Sequence, residues 1–203
     1  MKNALTEASA QPTRALALNT ENLPPEKLAE WAAWLKLRTH NDPALIEAVE
    51  KCAEFALSFK GRMSPRWMTI LGATGTGKTH CGRRLWNHLA ERVDWRQAQF
   101  SHSEIYWPRF VSELRSGDAF EKFRDMWKWP ALFLDDIGAD RDTTGFATEQ
   151  LNTLLGCRVD KWTIITSNLT LQQVSEVEPR IADRIIRAPN IFLEVKTKSH
   201  SMR

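Results

Sequence analysis

The chain has 203 residues, 42% hydrophobic and 26% charged, with a formal net charge of +3. This is enough for one α/β domain with a full core and a small appendage, and the mildly basic balance permits nucleic-acid contacts without requiring them. Cys52, Cys81 and Cys157 form no CxxC pair, so neither a zinc site nor a disulfide framework is signalled. No apolar run is long enough to cross a bilayer and the first residues lack a signal-peptide core, so a cytoplasmic protein with reduced thiols and no membrane partner is expected.

Residues 1 to about 22 mix Ala, Thr, Gln and Asn without a sustained period and read as a flexible leader. Pro24-Pro25 can open a short helix on which Leu28, Trp31 and Leu35 share a face, with Trp34 beside them. That helix either packs on its own domain or offers indoles to a partner. Asp42-Pro43 is a helix start, with an acceptor at the N-cap and Pro at the first helical position. Leu45, Ala48, Val49, Cys52, Ala56 and Phe59 then form an apolar stripe that ends at Gly61. The boundaries expected are a leader and helical extension over 1–42 and one domain over 43–203.

A short β-leaning run from Trp67 to Leu71 leads into Gly72-Ala73-Thr74-Gly75-Thr76-Gly77-Lys78-Thr79, and a helix-like segment comes at once after it. This is the Walker A pattern in the strand–loop–helix setting its mechanism needs. The glycines let the backbone close around a phosphate chain with its N–H groups inward. Lys78 supplies a point charge to the β- and γ-phosphates, the Thr79 hydroxyl is placed to ligate Mg²⁺, and the helix aims its positive end at the same anion. ATP and Mg²⁺ are the ligands this predicts; the bland alternative is a glycine-rich turn. His80 comes next in the cradle as a packed or surface residue rather than a catalytic one.

Cys81, Leu85, Trp86, Leu89 and Val93 make the buried side of the next helix. From Asp94 to Tyr106 the pattern yields no clear element. Trp107-Pro108 places a strand end near Trp107 and a helix from Pro108 to about Arg115. Ser116-Gly117 breaks it, and Asp118 is expected to cap a further helix through about Trp127. Ala131-Leu132-Phe133-Leu134 then runs into Asp135-Asp136, as a buried parallel strand does when it delivers carboxylates to the C-terminal edge of a sheet. Downstream of a P-loop this reads as Walker B, with Asp135 holding Mg²⁺ through its water shell and Asp136 orienting or deprotonating the attacking water. Alone, Asp-Asp-Ile-Gly is equally a strand-ending turn. Glu149 to Val159 reads as helix, and Trp162 to Asn168 as a β-branched strand ending in an amide. Pro179 opens a helix carrying Arg180, Arg184 and Arg187 on one face, and 190–195 reads as a final strand.

The P-loop, Leu134-Asp135-Asp136-Ile137-Gly138, Thr166-Ser167-Asn168 and Arg180-Ile181-Ala182-Asp183-Arg184, in that order, resemble the initiator clade of AAA+ ATPases, and most closely DnaC-type helicase loaders and IstB-type transposition ATPases. The resemblance covers about Pro43 to Val195. It implies an α/β P-loop NTPase fold, a parallel sheet flanked by helices, with the Asn168 strand between the P-loop and Walker B strands. It implies that Asn168 is sensor 1, which hydrogen-bonds the attacking water or the γ-phosphate, and that Arg184 stands at the arginine-finger position with Arg180 a turn earlier. The bland reading of those arginines is a solvated basic face.

The same resemblance implies an ATP-hydrolysing DNA-replication accessory protein of the helicase-loader type, assembling as a homo-oligomer on single-stranded DNA and a replicative helicase. An IstB-type transposition ATPase and a non-hydrolysing, nucleotide-dependent adaptor are the alternatives. Three departures stand out: Asp136 where the wider family carries Glu, no lid domain with a sensor 2 arginine after the last strand, and a short stretch before Pro43. Pro108 to Trp127 falls where the clade inserts a helix that lines single-stranded DNA. Arg109, Arg115, Lys122, Arg124 and Lys128, interleaved with Phe110, Phe120, Phe123, Trp127 and Trp129, either serve that purpose or form an ordinary amphipathic pair.

Overall fold

The computed structural model describes residues 42–60, 64–90, 104–138 and 143–196. The leader and the helix expected to carry Trp31 and Trp34 lie outside these residues, as do Val93 and most of the stretch from Asp94 to Tyr106 that shows no clear pattern. Five strands form one sheet: β1 (Trp67–Gly72), β2 (Glu104–Tyr106), β3 (Ala131–Ile137), β4 (Trp162–Ser167) and β5 (Ile191–Val195). Their order is β2-β3-β4-β1-β5, and every pairing is parallel. Parallel neighbours need crossovers, supplied by α2 (Lys78–Ala90), α3 (Trp107–Ser116), α4 (Phe120–Met126), α5 (Phe146–Gly156), α6 (Leu171–Val177) and α7 (Pro179–Ile186), while α1 (Pro43–Lys60) comes before β1 in the chain.

Alternation along the strands divides the core in two. Met68, Ile70, Ala131, Phe133 and Ile164 face α1 and α2, packing with Ala48, Cys52, Phe55, Leu85 and Leu89. Leu71, Leu132, Leu134 and Ile165 face the other layer, with Trp107, Phe110, Leu151, Leu154, Ile181 and Ile185. Successive side chains of a strand point to opposite faces, so a run of apolar residues is buried on both. Gly82 marks a very tight contact on the first face: a Cβ there would stand 2.8 Å from the Phe133 ring. Helix α2 therefore lies directly on β3, which brings the P-loop up to the Walker B strand.

The helix boundaries reflect local chemistry. Asp42 Oδ1 accepts from Ala44 N at 3.0 Å and opens α1 as its N-cap. Gly117, at φ 92°, closes α3 with its N–H on Leu114 O at 3.1 Å. Thr170 and Gln173 form a reciprocal capping box at α6. Asp118 corrects the expectation placed on it: its Oδ2 accepts from the Ser116 hydroxyl at 2.6 Å, while α4 starts at Phe120 without a side-chain cap. The helix read as Glu149 to Val159 runs Phe146–Gly156, three residues earlier, because a turn from Cys157 redirects Arg158 inward.

Arg158 is completely buried, at a position with no distinguishing local pattern. It donates to Met126 O at 2.5 Å, Trp129 O at 3.0 Å, Trp162 O at 2.9 Å and Thr163 Oγ1 at 3.1 Å. Its own carbonyl accepts from Trp67 Nε1 at 3.0 Å. Burial pulls the guanidinium down to about 9, which leaves it charged at neutral pH. The guanidinium thus ties the end of α4 to the segment before β3 and to the start of β4, and the Arg158 carbonyl adds the start of β1.

Candidate functional site

The sheet's C-terminal edge gathers the sequence-predicted residues. β1 ends in Gly72 at φ 141°, where a Cβ would meet Val195 O at 2.5 Å, so only glycine fits beside β5. Gly75 and Gly77 also have positive φ, 81° and 89°, and let the loop curl back before α2 begins at Lys78. Ala73 and Thr74 stand on the exposed rim, and Thr76 is buried with its hydroxyl on Ala73 O at 2.9 Å. Residues 72–79 therefore form a closed cradle at the N-terminus of a 13-residue helix.

Lys78 is only 6% exposed, unusual for a lysine, and its Nζ donates to Ala73 O at 2.7 Å and to Asn168 Oδ1 at 2.9 Å. Burial lowers its pKa from the ordinary lysine value, while the charges of Asp136 and Asp135 oppose that shift. An ammonium carries three donors, so one remains for an anion. A buried cation with a donor to spare, at a helix N-terminus, fits a phosphate chain.

The carboxylates come from β3. Alternation puts Asp135 on the α2 side with Phe133, and its Oδ1 accepts from Thr79 Oγ1 at 2.9 Å and from Thr166 Oγ1 at 2.5 Å. A hydroxyl and a carboxylate side by side make an all-oxygen donor set of the kind that holds Mg²⁺ with several waters. Asp136 is half-buried, and its Oδ1 accepts from Asn168 Nδ2. Burial, then the neighbouring Asp135, raises its carboxyl above the usual range, and Lys78 and Asn168 offset part of the rise. Asn168 thus links the P-loop lysine to the second acidic residue, because β4 lies between β1 and β3 as the family resemblance implied. Thr166, two residues earlier on the same strand face, belongs to this site as well. Period-2 alternation from Asn168 is the signal that could have found it.

The remaining candidates stand apart. His80 is exposed on α2 and accepts from Arg84 Nε at 3.1 Å; burial and the charges of Arg84 and Arg83 lower its pKa. Arg184 is half-buried against α5, donating to Asn152 O at 3.0 Å and to Asn152 Oδ1. Arg180 is exposed one turn nearer the start of α7. Neither arginine bonds the phosphate cradle of its own chain.

In α3 and α4 the aromatic residues turn mostly inward. Phe110, Phe123 and Trp129 are buried, and Phe120 alone of that set is strongly exposed, at 49%. Arg109 pairs with Glu113 at 2.9 Å, Arg124 with Glu121 at 4.0 Å and Lys128 with Asp125 at 3.7 Å. Lys122 lies over the Phe110 ring at 5.6 Å. The pair thus turns its aromatic side to the core and its charged side to the surface.

No family model matches the chain. It is 28% identical over 136 residues to the replicative helicase loader DnaI of Bacillus subtilis (strain 168), a stretch that is 64% of this chain and 42% of that protein. The chain thus spans less than half the length of this relative. Among solved structures, a crystal structure of DnaI has a TM-score of 0.58 at 24% identity and covers 93% of each chain. The replication initiator DnaA bound to AMPPCP and single-stranded DNA has a TM-score of 0.53 at 21% identity, over 74% of this chain and 46% of that one. Among the described residues no helix is long and apolar enough to cross a membrane. The chain shares the P-loop α/β fold of these solved structures and is similar in sequence to the helicase loader DnaI.

Proposed function

We propose that this chain binds and hydrolyses ATP as a replication accessory protein of the helicase-loader type, assembling with copies of itself on single-stranded DNA and a replicative helicase. The observation that carries this reading is the continuous chain of contacts Ala73–Lys78–Asn168–Asp136 beside Thr79–Asp135. It joins a phosphate cradle, a metal-type donor pair and a candidate base at one sheet edge. The cradle of 72–79 holds the phosphates, and Lys78 neutralises the β/γ bridge. Thr79 and Asp135 would hold Mg²⁺, which when bound supplies electrostatic stabilisation of the charge on the transferring group. Asp136, its proton affinity raised, accepts the proton of an attacking water that Asn168 orients. Asp is one methylene shorter than Glu, so its oxygen stands farther back and turnover is slow.

Neither Arg180 nor Arg184 bonds the cradle of its own chain, since both lie on α7. Arg184 of a neighbouring subunit completes the site after leaving Asn152. Similarity to DnaI and likeness to a DnaA structure that holds a nucleotide analogue and single-stranded DNA support this reading.

The test is subunit mixing. Monomers should bind ATP but turn it over poorly, with specific activity rising as protein concentration or single-stranded DNA drives assembly. Arg184→Ala should abolish the rise while leaving ATP binding near wild type, because a finger in trans is worth about 10³–10⁵ in rate. Lys78→Ala lacks the binding site and Arg184→Ala lacks the finger, so their mixture should recover activity that neither shows alone. A dead mixture with co-assembly shown by mass, or an Arg184→Ala variant with full DNA-stimulated activity, reduces Arg184 to part of a basic face. A wild type that binds ATP in the assembled state without turnover makes the protein an adaptor instead.

A further inference from the structure

Two adjacent residues of a regular strand cannot both face one ligand, because their side chains alternate. Asp135 and Asp136 nevertheless both reach the phosphate side, the first through Thr79 and the second through Asn168. The strand pairing explains how. β3 matches β4 as Leu134↔Ile165 and then as Ile137↔Ser167, so three residues of β3 span two of β4. Asp136 lies within this bulge at φ 63°, the only non-glycine residue with positive φ among the described residues. That backbone is costly for a residue with a Cβ and persists only where the surroundings over-determine it.

Thr166 supplies the constraint. Its hydroxyl has one proton and spare lone pairs, and both functions are used: it donates to Asp135 Oδ1 at 2.5 Å and accepts from Asp136 N at 2.9 Å. A bulge leaves its extra residue without a ladder partner, and here the orphaned N–H finds the hydroxyl instead. Thr166 is 1% exposed, so water cannot take its place at low cost. On the far side Ser167 Oγ donates to Ile137 O at 2.6 Å and accepts from Leu169 N at 3.1 Å, which fixes the exit of the bulge. Thr79 and Thr166 both donate to Oδ1 of Asp135, and Oδ2 stays without a hydrogen bond among the described residues.

We infer that Thr166 is a positioning residue for the nucleotide site, its single hydroxyl clamping the bulge that turns Asp135 and Asp136 to the same side. This rests on the ATPase reading above. It assigns Thr166 no contact with ATP: the residue acts through the two carboxylates.

The test compares Thr166→Val, which keeps the shape and deletes the hydroxyl, with Thr166→Ser, which restores it. Affinity for a fluorescent ATP analogue is measured with Mg²⁺ and with a chelator, and exchange of the Asp136 amide hydrogen is followed by NMR. In Thr166→Val the affinity gained from Mg²⁺ should fall about tenfold while chelator affinity changes by less than about twofold, since the cradle is untouched. The Asp136 amide should exchange faster, and Thr166→Ser should recover most of both effects. If Thr166→Val does not fold, Thr166→Cys, with a weak donor and acceptor, makes the same comparison. Full Mg²⁺-dependent gain and a protected Asp136 amide without the hydroxyl overturn the role of Thr166 alone. A wild type that binds no nucleotide even with Mg²⁺ overturns the site reading and this inference together.

Discussion

Lys78 and Asn168 share a hydrogen bond of 2.9 Å across 90 residues of chain. The amide oxygen takes one ammonium proton, the Ala73 carbonyl takes a second, and the third is left for phosphate. The same amide's nitrogen holds Asp136. In the proposed function, binding and chemistry therefore meet in one side chain, and the two can be separated by mutation.

Lys78→Ala should remove nucleotide binding, because the cradle loses its cation. Asn168→Ala should leave affinity within a few-fold, since the Lys78 ammonium and the loop N–H groups keep their donors for the phosphate. It should lower turnover about 10²–10³-fold, as the loss of a transition-state donor does elsewhere. Labelled-nucleotide titration and steady-state phosphate release check the pair. Near wild-type turnover in Asn168→Ala would remove that residue from the chemistry.

Arg158 leads to a stability prediction far from the nucleotide. Arg158→Met fills the same space but strands three buried carbonyls and takes one donor from the Thr163 hydroxyl, which keeps its bond to Lys161 O. Leaving such groups unsatisfied costs about 1–3 kcal/mol each before relaxation. A loss of about 3 kcal/mol or more is expected in urea unfolding. Arg158→Lys should recover only part of it, because an ammonium cannot reproduce the planar fork. A loss below about 1 kcal/mol for Met would contradict the tie between α4 and the strands.

His80 leads to a pH prediction. Partial burial disfavours the cation first and the charges of Arg84 and Arg83 add to it, and Arg84 Nε donates to its Nε2, which must then be unprotonated. Its folded pKa lies below the ordinary value of 6.5, so between the two values the unfolded chain binds more protons than the folded one. Stability contributed by this group is present above 6.5 and is lost as pH falls towards and through the folded value. An NMR titration of the imidazole should show the low value, and Arg84→Ala should raise it. A His80 that titrates above 6.5 would mean that the ring does not accept from Arg84.

The chain itself determined what is written in short windows. Glycines spaced for positive φ, a lysine and a threonine at the next helix start, and an apolar run ending in two aspartates fixed the cradle and the acidic strand. Prolines at 43, 108 and 179 marked helix starts, because a ring without an N–H suits the first turn and little else. Asn168 beside the cradle came from the family resemblance rather than from any local pattern, and the strand order β3-β4-β1 bears it out. Tertiary structure alone decided the rest. Strand pairing set the bulge that turns Asp136 round, and Thr166 became its clamp only because β4 lies alongside. Whether the aromatics of α3 and α4 formed core or surface depended on their packing against the sheet, which alternating charge and aromatic residues left open. Arg158 left no signal at all: a buried cation satisfied by carbonyls and a hydroxyl from separate segments exists only once those segments have met.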